Sequence, residues 1–380
     1  MVDNLVNMAT TSIESSFEDS LISFSHDIYR EIDGTVSACV SPYSIISALL
    51  MLMVGTRGTS KTQIKSAILR NDWNNQVIYQ QYQTLSGKVF STTGNELNIA
   101  TKLFVKNGLT VTREVGNVAK TYFSADIGYQ DFTKSIRSAR AMNRYVANRT
   151  NNKITDLIKS SWLNVNTIMV LVNAVYFRGI WETQFDPKNT QKEDFLLTDQ
   201  TKTKVDMMAM KHYVRYYNGR SFSAIALPYK GNELETVIVL PRKINGLKNL
   251  KNTFSPAVAN VIDSGLINTT LIVKIPKFTF ESETDLTDLL PKLGITDIFD
   301  PNTADFSNLV QEIQSGMYVS EARHKVVIEV NEAGTEAAAG TAIVVTRKSL
   351  LPQFVANHPF LFYIRHGQTG SILFVGHYNP

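Results

Sequence analysis

The feature that most restricts the possible folds is a nearly unbroken apolar run at residues 167–177, which reads TIMVLVNAVYF. A continuous run of this kind, rich in β-branched residues, is typical of a strand that is buried on both faces of its sheet. Such a strand needs a covering layer on each side, so the sequence predicts a sheet in the interior of the molecule.

Other helix and strand patterns are mixed along the chain. Helical apolar spacing occurs at 14–33, 43–54, about 75–91, 112–124, 137–160 and near 284–293. Strands are predicted at 96–107, at several places in 205–240, at 271–282, at 317–330 and in a closing hairpin around GQTG. The proline inside the run LIVKIPKFTFES favours an edge strand or a bulge. Without strict alternation of helices and strands, the expected fold class is α+β, as a single domain over 1–380.

The composition gives no sign of a nucleic-acid or membrane partner. The 38 basic and 34 acidic residues give a net charge of only +4, and no basic run is interleaved with aromatics, so nucleic acid is not expected as a partner. No window reaches about 18 consecutive apolar residues, so neither a transmembrane helix nor a membrane partner is expected. The single cysteine, Cys39, lies in an apolar setting and is predicted to be a buried, inert thiol.

The start of the chain lacks a basic segment followed by an apolar core, so no conventional signal peptide is recognised. The expected location is the cytoplasm. Glycosylation motifs at Asn148 and Asn268 leave unconventional export open.

The sequence lacks the common catalytic motifs. The chain has no GxSxG, HExxH or CxxC, and no phosphate-binding GxxxxGK[ST]. Its six histidines show no metal-ligand spacing. We therefore expect no enzyme activity, no catalytic residues, no metal site and no cofactor.

The stretch 332–349, EAGTEAAAGTAIVVTRKS, places a ribbon of small residues before a dibasic site of the kind that trypsin cleaves. As a strand, it would present only small or apolar side chains on one face, and no proline would interrupt its hydrogen bonds. Bulky anchors are scarce, so the ribbon could exist both outside and inside a sheet. A flexible loop, or an Ala-rich helix running to Gly340, remains the alternative interpretation of the composition alone.

Several segments, in order along the chain, carry a family resemblance. The stretch from Glu329 to Ala342 resembles the hinge of the serpin family, and FVANHPFLFYIRH followed by GSILFVGHYNP resembles the family's C-terminal signature. Further motifs agree in the same order: VSPYSIISALLMLMVGTRG, LNIATKLFV, LVNAVYFRGIWETQF, VDMM, IALPY, VKIPKF, LGITDIFD and VSEARHKVVIEVNE. The resemblance extends from about residue 17 to the last residue, and its type is the intracellular, ovalbumin-like one without a cleaved signal peptide.

This resemblance implies a fold with three β-sheets, about nine helices and an exposed reactive loop at about 332–356. Lys348 and Ser349 would flank the bond that a target protease attacks, and cleavage after Arg347 is an alternative. The loop would begin with a hinge made of Glu332, Gly334, Thr335, Ala337, Ala338 and Ala339.

The resemblance also assigns structural roles around the sheet that the loop would enter. Ser41, Ser44, Asn173 and His324 would form a hydrogen-bonded cluster beneath it, and Trp181 would mark the point of first entry. Lys277 and Glu332 would form an ion pair at the base of the hinge, and an exposed pair contributes only about 0–1 kcal/mol.

The implied function is suicide inhibition of trypsin-like serine proteases by a metastable monomer, since a trypsin-like primary pocket holds a carboxylate that suits Lys348. A non-inhibitory carrier or chaperone and a cross-class inhibitor of cysteine proteases are the alternatives. The helix expected at 75–91 lacks a basic stripe, so heparin activation is not supported and heparin is not expected as a partner.

Overall fold

The structure is a computed structural model that describes residues 16–90, 94–197, 201–311, 316–332 and 351–380. Within these ranges the chain forms nine α-helices and fourteen β-strands, with three short 3-10 turns. The helices are α1 (Phe17–Glu31), α2 (Pro42–Gly55), α3 (Gly58–Ile68), α4 (Asn75–Phe90), α5 (Arg113–Phe123), α6 (Ser135–Arg149), α7 (Leu247–Thr253), α8 (Pro256–Gly265) and α9 (Leu286–Lys292).

The strands alternate irregularly with these helices. They are β1 (Ala38–Val40), β2 (Glu96–Lys106), β3 (Asp126–Gln130), β4 (Met169–Arg178), β5 (Gln191–Leu196), β6 (Lys202–Asn218), β7 (Phe222–Pro228), β8 (Leu234–Pro241), β9 (Ile267–Pro276), β10 (Phe278–Asp285), β11 (Val319–Val330), β12 (Gln353–Val355), β13 (Phe360–His366) and β14 (Ile372–Tyr378).

A five-stranded sheet has the order β10-β11-β4-β2-β3, with β4 in the middle. The apolar run predicted to be buried on both faces is β4, and nine of its ten residues are buried. One face packs into the main core, and the other contacts a second apolar cluster that includes Met142 and Val146 of α6. The prediction of a doubly covered strand is confirmed.

The helix α2 lies within the main core, and every one of its residues is buried. Its start follows the predicted pattern, because Pro42 occupies the first turn and the Ser41 side chain accepts a hydrogen bond from the Ser44 N–H. A helix that is apolar on all sides must be enclosed, so α2 forms a fixed base beneath the sheet.

The remaining strands form a nine-stranded network in which β6 is the joint. Residues 202–207 of β6 pair with β5 and residues 207–216 pair with β9, whereas β7 pairs only with the last four residues of β6, Arg215–Asn218. The network therefore divides into two sheets on either side of this joint, and the five-stranded sheet is the third. The α+β class, the three sheets and the number of helices agree with the predictions.

Two predicted elements need correction. The helix expected at 137–160 ends at Arg149, because Asn151 and Asn152 adopt left-handed backbone conformations that stop it. The single strand expected at 271–282 is two strands in different sheets: β9 ends at Pro276, and β10 begins at Phe278. The proline thus marks the passage between sheets, not a bulge within one strand.

The thiol of Cys39 is fully buried, and burial raises its pKa well above the ordinary value. An inaccessible, protonated thiol is a poor nucleophile, as predicted. None of the helices in the described ranges is long and apolar enough to cross a membrane.

Candidate functional site at the centre of the five-stranded sheet

The five-stranded sheet has a parallel pair of strands at its centre. Strands β4 and β11 run side by side from Val319 opposite Met169 to Glu329 opposite Arg178. We call the boundary between them the seam. The strands β10 and β2 on either side are antiparallel to their neighbours β11 and β4, so an antiparallel strand would fit at the seam between two strands of the same direction. The sheet has a second parallel pair, β2 and β3, at its edge. What distinguishes the seam is that β11, the strand from which the predicted loop leaves, forms one side of it.

The predicted loop leaves from one end of the seam. Strand β11 ends at Val330, and the chain is described again from residue 351, where β12 soon pairs with β9 in another sheet. The loop predicted to extend to about 356 is therefore shorter at its far end, because Gln353–Val355 is a strand. The following predicted residues lie outside the described ranges: Gly334, Thr335, Ala337, Ala338, Ala339, Arg347, Lys348 and Ser349.

A buried hydrogen-bond cluster crosses the seam. Asn173 of β4 and His324 of β11 are register partners, and His324 Nδ1 lies 2.6 Å from Asn173 Oδ1. The same Asn173 oxygen accepts from Ser44 Oγ at 2.8 Å. The backbone N–H of Ser41 donates to His324 Nε2 at 3.0 Å, so the proton of the neutral ring must lie on Nδ1, from which it donates to Asn173. The structure therefore brings Ser41, Ser44, Asn173 and His324 together.

The sequence analysis did not identify Thr101 as a member of this cluster. The Asn173 side-chain amide donates to Thr101 Oγ1 at 2.8 Å and to the Ser44 carbonyl at 3.2 Å. All hydrogen-bonding positions of this buried amide are thus occupied. The signal that could have found Thr101 is a hydroxyl within the run LNIATKLFV, whose strand pairs with β4.

The charge of His324 is controlled by its surroundings. Burial lowers the pKa of His324 from 6.5 to about 3, so the ring is neutral at physiological pH. A strand inserted at the seam would separate Asn173 from His324 by about twice the strand spacing of 4.8 Å. The cluster therefore couples the two strands only while the seam is closed.

Acidification should weaken the fold through His324. Between the unfolded pKa of about 6.5 and the folded pKa of about 3, the unfolded chain binds a proton that the folded chain does not, so the free energy of unfolding falls as the pH falls. From pH 7.5 to pH 5.5 this group should account for a loss of about 1.4 kcal/mol. Urea titrations should show a larger drop in stability for the wild type than for His324→Gln across this interval; equal drops would contradict the assignment.

Asn331 and Glu332, which follow the last residue of β11, form the base of the predicted hinge, and neighbouring residues hold them in place. Trp181 Nε1 donates to the carbonyl of Asn331 at 2.9 Å, and the indole stacks on Tyr229 with centroids 4.5 Å apart. The backbone N–H of Phe185 donates to the carbonyl of Glu332 at 3.1 Å. Trp181 is 4% exposed, so it is a fixed anchor beside Asn331, next to the start of the predicted loop.

The ion pair predicted between Lys277 and Glu332 is present, with Nζ and Oε2 2.9 Å apart. It is not the exposed pair that was expected, because the Glu332 side chain is only 10% exposed, against 45% for Lys277. Thr190 Oγ1 also donates to Glu332 at 2.9 Å. Burial opposes ionisation of this carboxyl, but the hydrogen bonds from Lys277 and Thr190 outweigh it and lower the pKa of Glu332.

Removing Lys277 should therefore cost more than breaking an exposed pair. We expect Lys277→Met to lower the free energy of unfolding by about 1–3 kcal/mol, because a largely buried carboxylate loses its counter-charge. The double variant Lys277→Met with Glu332→Gln should recover part of the loss, since no charge is then left buried. Thermal or urea melts of both variants test this, and a single variant as stable as the wild type would refute it.

Comparisons with known proteins agree with this architecture. The family model described as Serpin (serine protease inhibitor) matches residues 19–380. The chain is 31% identical over 390 residues to neuroserpin of Gallus gallus, covering 98% of this chain and 94% of the relative. It is 35% identical over 372 residues to the leukocyte elastase inhibitor of Xenopus tropicalis, covering 94% and 97%. The crystal structure of uncleaved ovalbumin superimposes with a TM-score of 0.89 at 25% identity, covering 96% of this chain and all of the other.

Proposed function

The chain belongs to the serpin family, and from that premise we propose that it is a suicide inhibitor of trypsin-like serine proteases, cleaved after Lys348. The family is generally one of serine protease inhibitors, not of catalysts. The preference for trypsin-like targets, the reactive bond and the insertion mechanism are our proposals for this chain.

The observation that carries the proposal is the parallel seam with a segment of small residues attached to it. A segment that follows β11 and turns back would run antiparallel to β11 and, since β4 is parallel to β11, antiparallel to β4 as well. Insertion would replace one parallel pairing by two antiparallel ones, which are slightly more stable per residue. Strand addition to a sheet is an established use of such an arrangement.

The length of the segment that would insert also fits the length of the strands beside the seam. Residues 333–348 number sixteen, and at about 3.3 Å per residue they would extend roughly 50 Å. Strands β4 and β11 contain ten and twelve residues, so an inserted strand would have ladder partners along most of its length. A protease attached at Lys348 would be carried from the hinge end of the sheet past its other end.

The proposed reaction begins with cleavage of the loop, and the ester that results then has two competing fates. The serine Oγ of the protease attacks the carbonyl carbon of Lys348, the bond to Ser349 breaks, and Ser349 leaves with a new amino group. The ester that remains links the protease to Lys348. Insertion before water attacks this ester would trap the protease, whereas slow insertion would release a cleaved substrate.

The direct test is to mix the protein with trypsin and examine the products on a denaturing gel. A covalent complex, together with a released fragment of residues 349–380, is expected. Cleavage without a complex would refute inhibition of trypsin-like enzymes. A covalent complex with a papain-type protease in place of trypsin would favour cross-class inhibition, and a chain that forms a complex with neither protease would favour a carrier or chaperone.

A further inference from the structure

The five-stranded sheet has an open edge that no part of the proposed inhibitory function uses. Strand β3 ends the sheet order β10-β11-β4-β2-β3, and its inner side pairs with residues 102–106 of β2. No strand of the described ranges pairs with its outer side, so the backbone N–H and C=O groups that point outwards are open to another strand. Two strands, β2 and β4, separate this edge from the seam.

The side chains of β3 do little to prevent pairing. Edge strands are commonly protected by charged side chains, prolines or bulges. The opposite edge strand, β10, carries three acidic residues among its eight. Within β3 the single charged residue is Asp126 at the first position, and Arg149 pairs with it at 2.9 Å. Residues 127–130 therefore offer an uncharged strand edge.

Tyr129 provides a rigid aromatic contact point on this edge. The residue is 48% exposed, and its hydroxyl accepts a hydrogen bond from the Val111 N–H at 3.0 Å. Tyr129, Lys134 and Arg137 are among the residues that line a cavity of about 220 Å³ between the end of β3 and the start of α6. Tyrosines and arginines beside such pockets often dominate the binding energy of protein interfaces.

Helix α6 lies along β3 and antiparallel to it. Near the start of the helix, Ser138 Oγ lies 3.4 Å from Gln130 Oε1 at the end of β3. Two turns later, the Tyr145 hydroxyl donates to Asp126, the first residue of β3, at 3.2 Å. The buried side of α6, which includes Met142, is fixed to the sheet. The exposed residues of α6 are thus held in a constant position relative to the edge.

Two arginines lie on the flank of α6 above β3. Arg137 and Arg144 are about 80° and about 100° around the helix from Tyr145, which contacts β3, and both are exposed. Neither has a carboxylate partner among the described residues, and Asp131, the acidic residue that lines the cavity, pairs with Lys134 at 3.1 Å. The open edge is therefore bordered by positive charge without a counter-charge.

We propose that the surface formed by β3, Arg137 and Arg144 binds an acidic, extended segment of a partner protein, which adds to β3 as a sixth strand. Backbone hydrogen bonds to β3 would supply affinity, and alternate side chains would supply specificity. In an added strand, every second side chain lies on the α6 side of the sheet, at intervals of about 7 Å. Arg137 and Arg144 are about 10 Å apart along the helix, so acidic residues at alternate positions would reach both.

The charges favour a foreign acidic segment over a second copy of this chain. Two β3 edges placed side by side would bring the arginines of both copies together, and like charges facing each other oppose association. The segment 333–349 of another copy is also a poor occupant, because it contains one acidic residue and two basic ones. The proposed site is at the edge of the sheet, so its occupation leaves the seam closed.

The test measures binding of a labelled octapeptide that alternates valine with glutamate to the full chain, by fluorescence anisotropy at about 150 mM NaCl. A matched octapeptide with lysine in place of every glutamate should bind at least about tenfold more weakly, because its charges face the arginines. A third octapeptide, with proline in place of the two central valines, should lose at least as much, because proline has no N–H to donate to β3.

The variant Arg137→Gln/Arg144→Gln should bind the acidic octapeptide at least about tenfold more weakly than the wild type. The matched control Lys211→Gln/Arg220→Gln removes two exposed charges outside α6 and the five-stranded sheet, and it should keep wild-type affinity. Both variants change exposed side chains only, so both should melt as the wild type does. A chain cleaved within residues 335–349 should bind as tightly as the intact chain whether or not its loop inserts, so the result does not depend on the inhibitory function.

Equal affinity for the three peptides, equal affinity of the arginine variant and the wild type, equal losses in both double variants, or no binding at about 1 mM peptide would overturn the proposal. Loss of binding on cleavage would place the peptide at the seam and would also overturn it. A dimer of the wild type at the protein concentrations used would overturn the choice of a foreign partner.

Discussion

Thr335→Arg should convert the proposed inhibitor into a substrate. In an inserted strand, Thr335 shares its face with Ala337, Ala339 and Thr341, and that face would lie against the main core. An unpaired guanidinium buried there costs several kcal/mol, so insertion is slowed at its first step. Hydrolysis of the ester at Lys348 should then outrun trapping. With trypsin, we expect a cleaved chain and little covalent complex, and a stoichiometry of inhibition at least about tenfold higher, since 1.4 kcal/mol in the competing barriers already gives that factor.

The matched control is Glu336→Arg, one residue further along. Its side chain would lie on the other face of the inserted strand, the side on which Glu329 and Arg178 are only partly buried. This variant should still form the covalent complex. If Thr335→Arg inhibits trypsin as well as the wild type does, the proposed insertion is wrong; if both variants fail alike, the assignment of faces is wrong.

Lys348→Ala should remove inhibition of trypsin. A trypsin-like primary pocket has a carboxylate at its base, and without the cationic side chain that carboxylate is buried without a partner. Losing a buried charged partner costs about 2–5 kcal/mol, so the association rate constant should fall by a factor between about 30 and about 5,000. Progress curves of trypsin activity at several inhibitor concentrations measure this rate constant directly.

Arg347→Ala is the control for the position of the bond. If the protease cleaves after Lys348, this variant should inhibit at close to the wild-type rate, and the released fragment should be residues 349–380. A fragment of residues 348–380, with activity lost in Arg347→Ala and kept in Lys348→Ala, would move the reactive bond by one residue.

The sequence predicted an element correctly where its apolar pattern matches the burial of that element in the fold. The run at 167–177 predicted β4, and the residues after Pro42 predicted α2, because both elements are enclosed by apolar neighbours. The pair of Lys277 and Glu332 followed from family resemblance, but its burial did not. That burial depends on how β9, β10 and the residues around Thr190 pack about the hinge, which one-dimensional spacing does not encode.

The parts that sequence reasoning missed depend on contacts distant along the chain. The division at Pro276 is invisible to periodicity, because strands in two different sheets continue the same apolar alternation. Thr101 joins the cluster only because β2 lies beside β4, which places it opposite Asn173. The end of α6 at Arg149 depends on two asparagines in left-handed conformations, which the apolar pattern beyond them conceals.

The central claim is that the uncleaved protein is less stable than the form whose loop has entered the seam. The measurement is calorimetry of the intact chain and of a chain nicked within residues 335–349 by a metalloprotease, which forms no acyl-enzyme. Insertion would replace one parallel pairing by two antiparallel ones along most of β4 and β11, so the melting temperature of the nicked chain should rise by more than about 10 °C. A nicked chain that melts at or below the temperature of the intact one would contradict the claim.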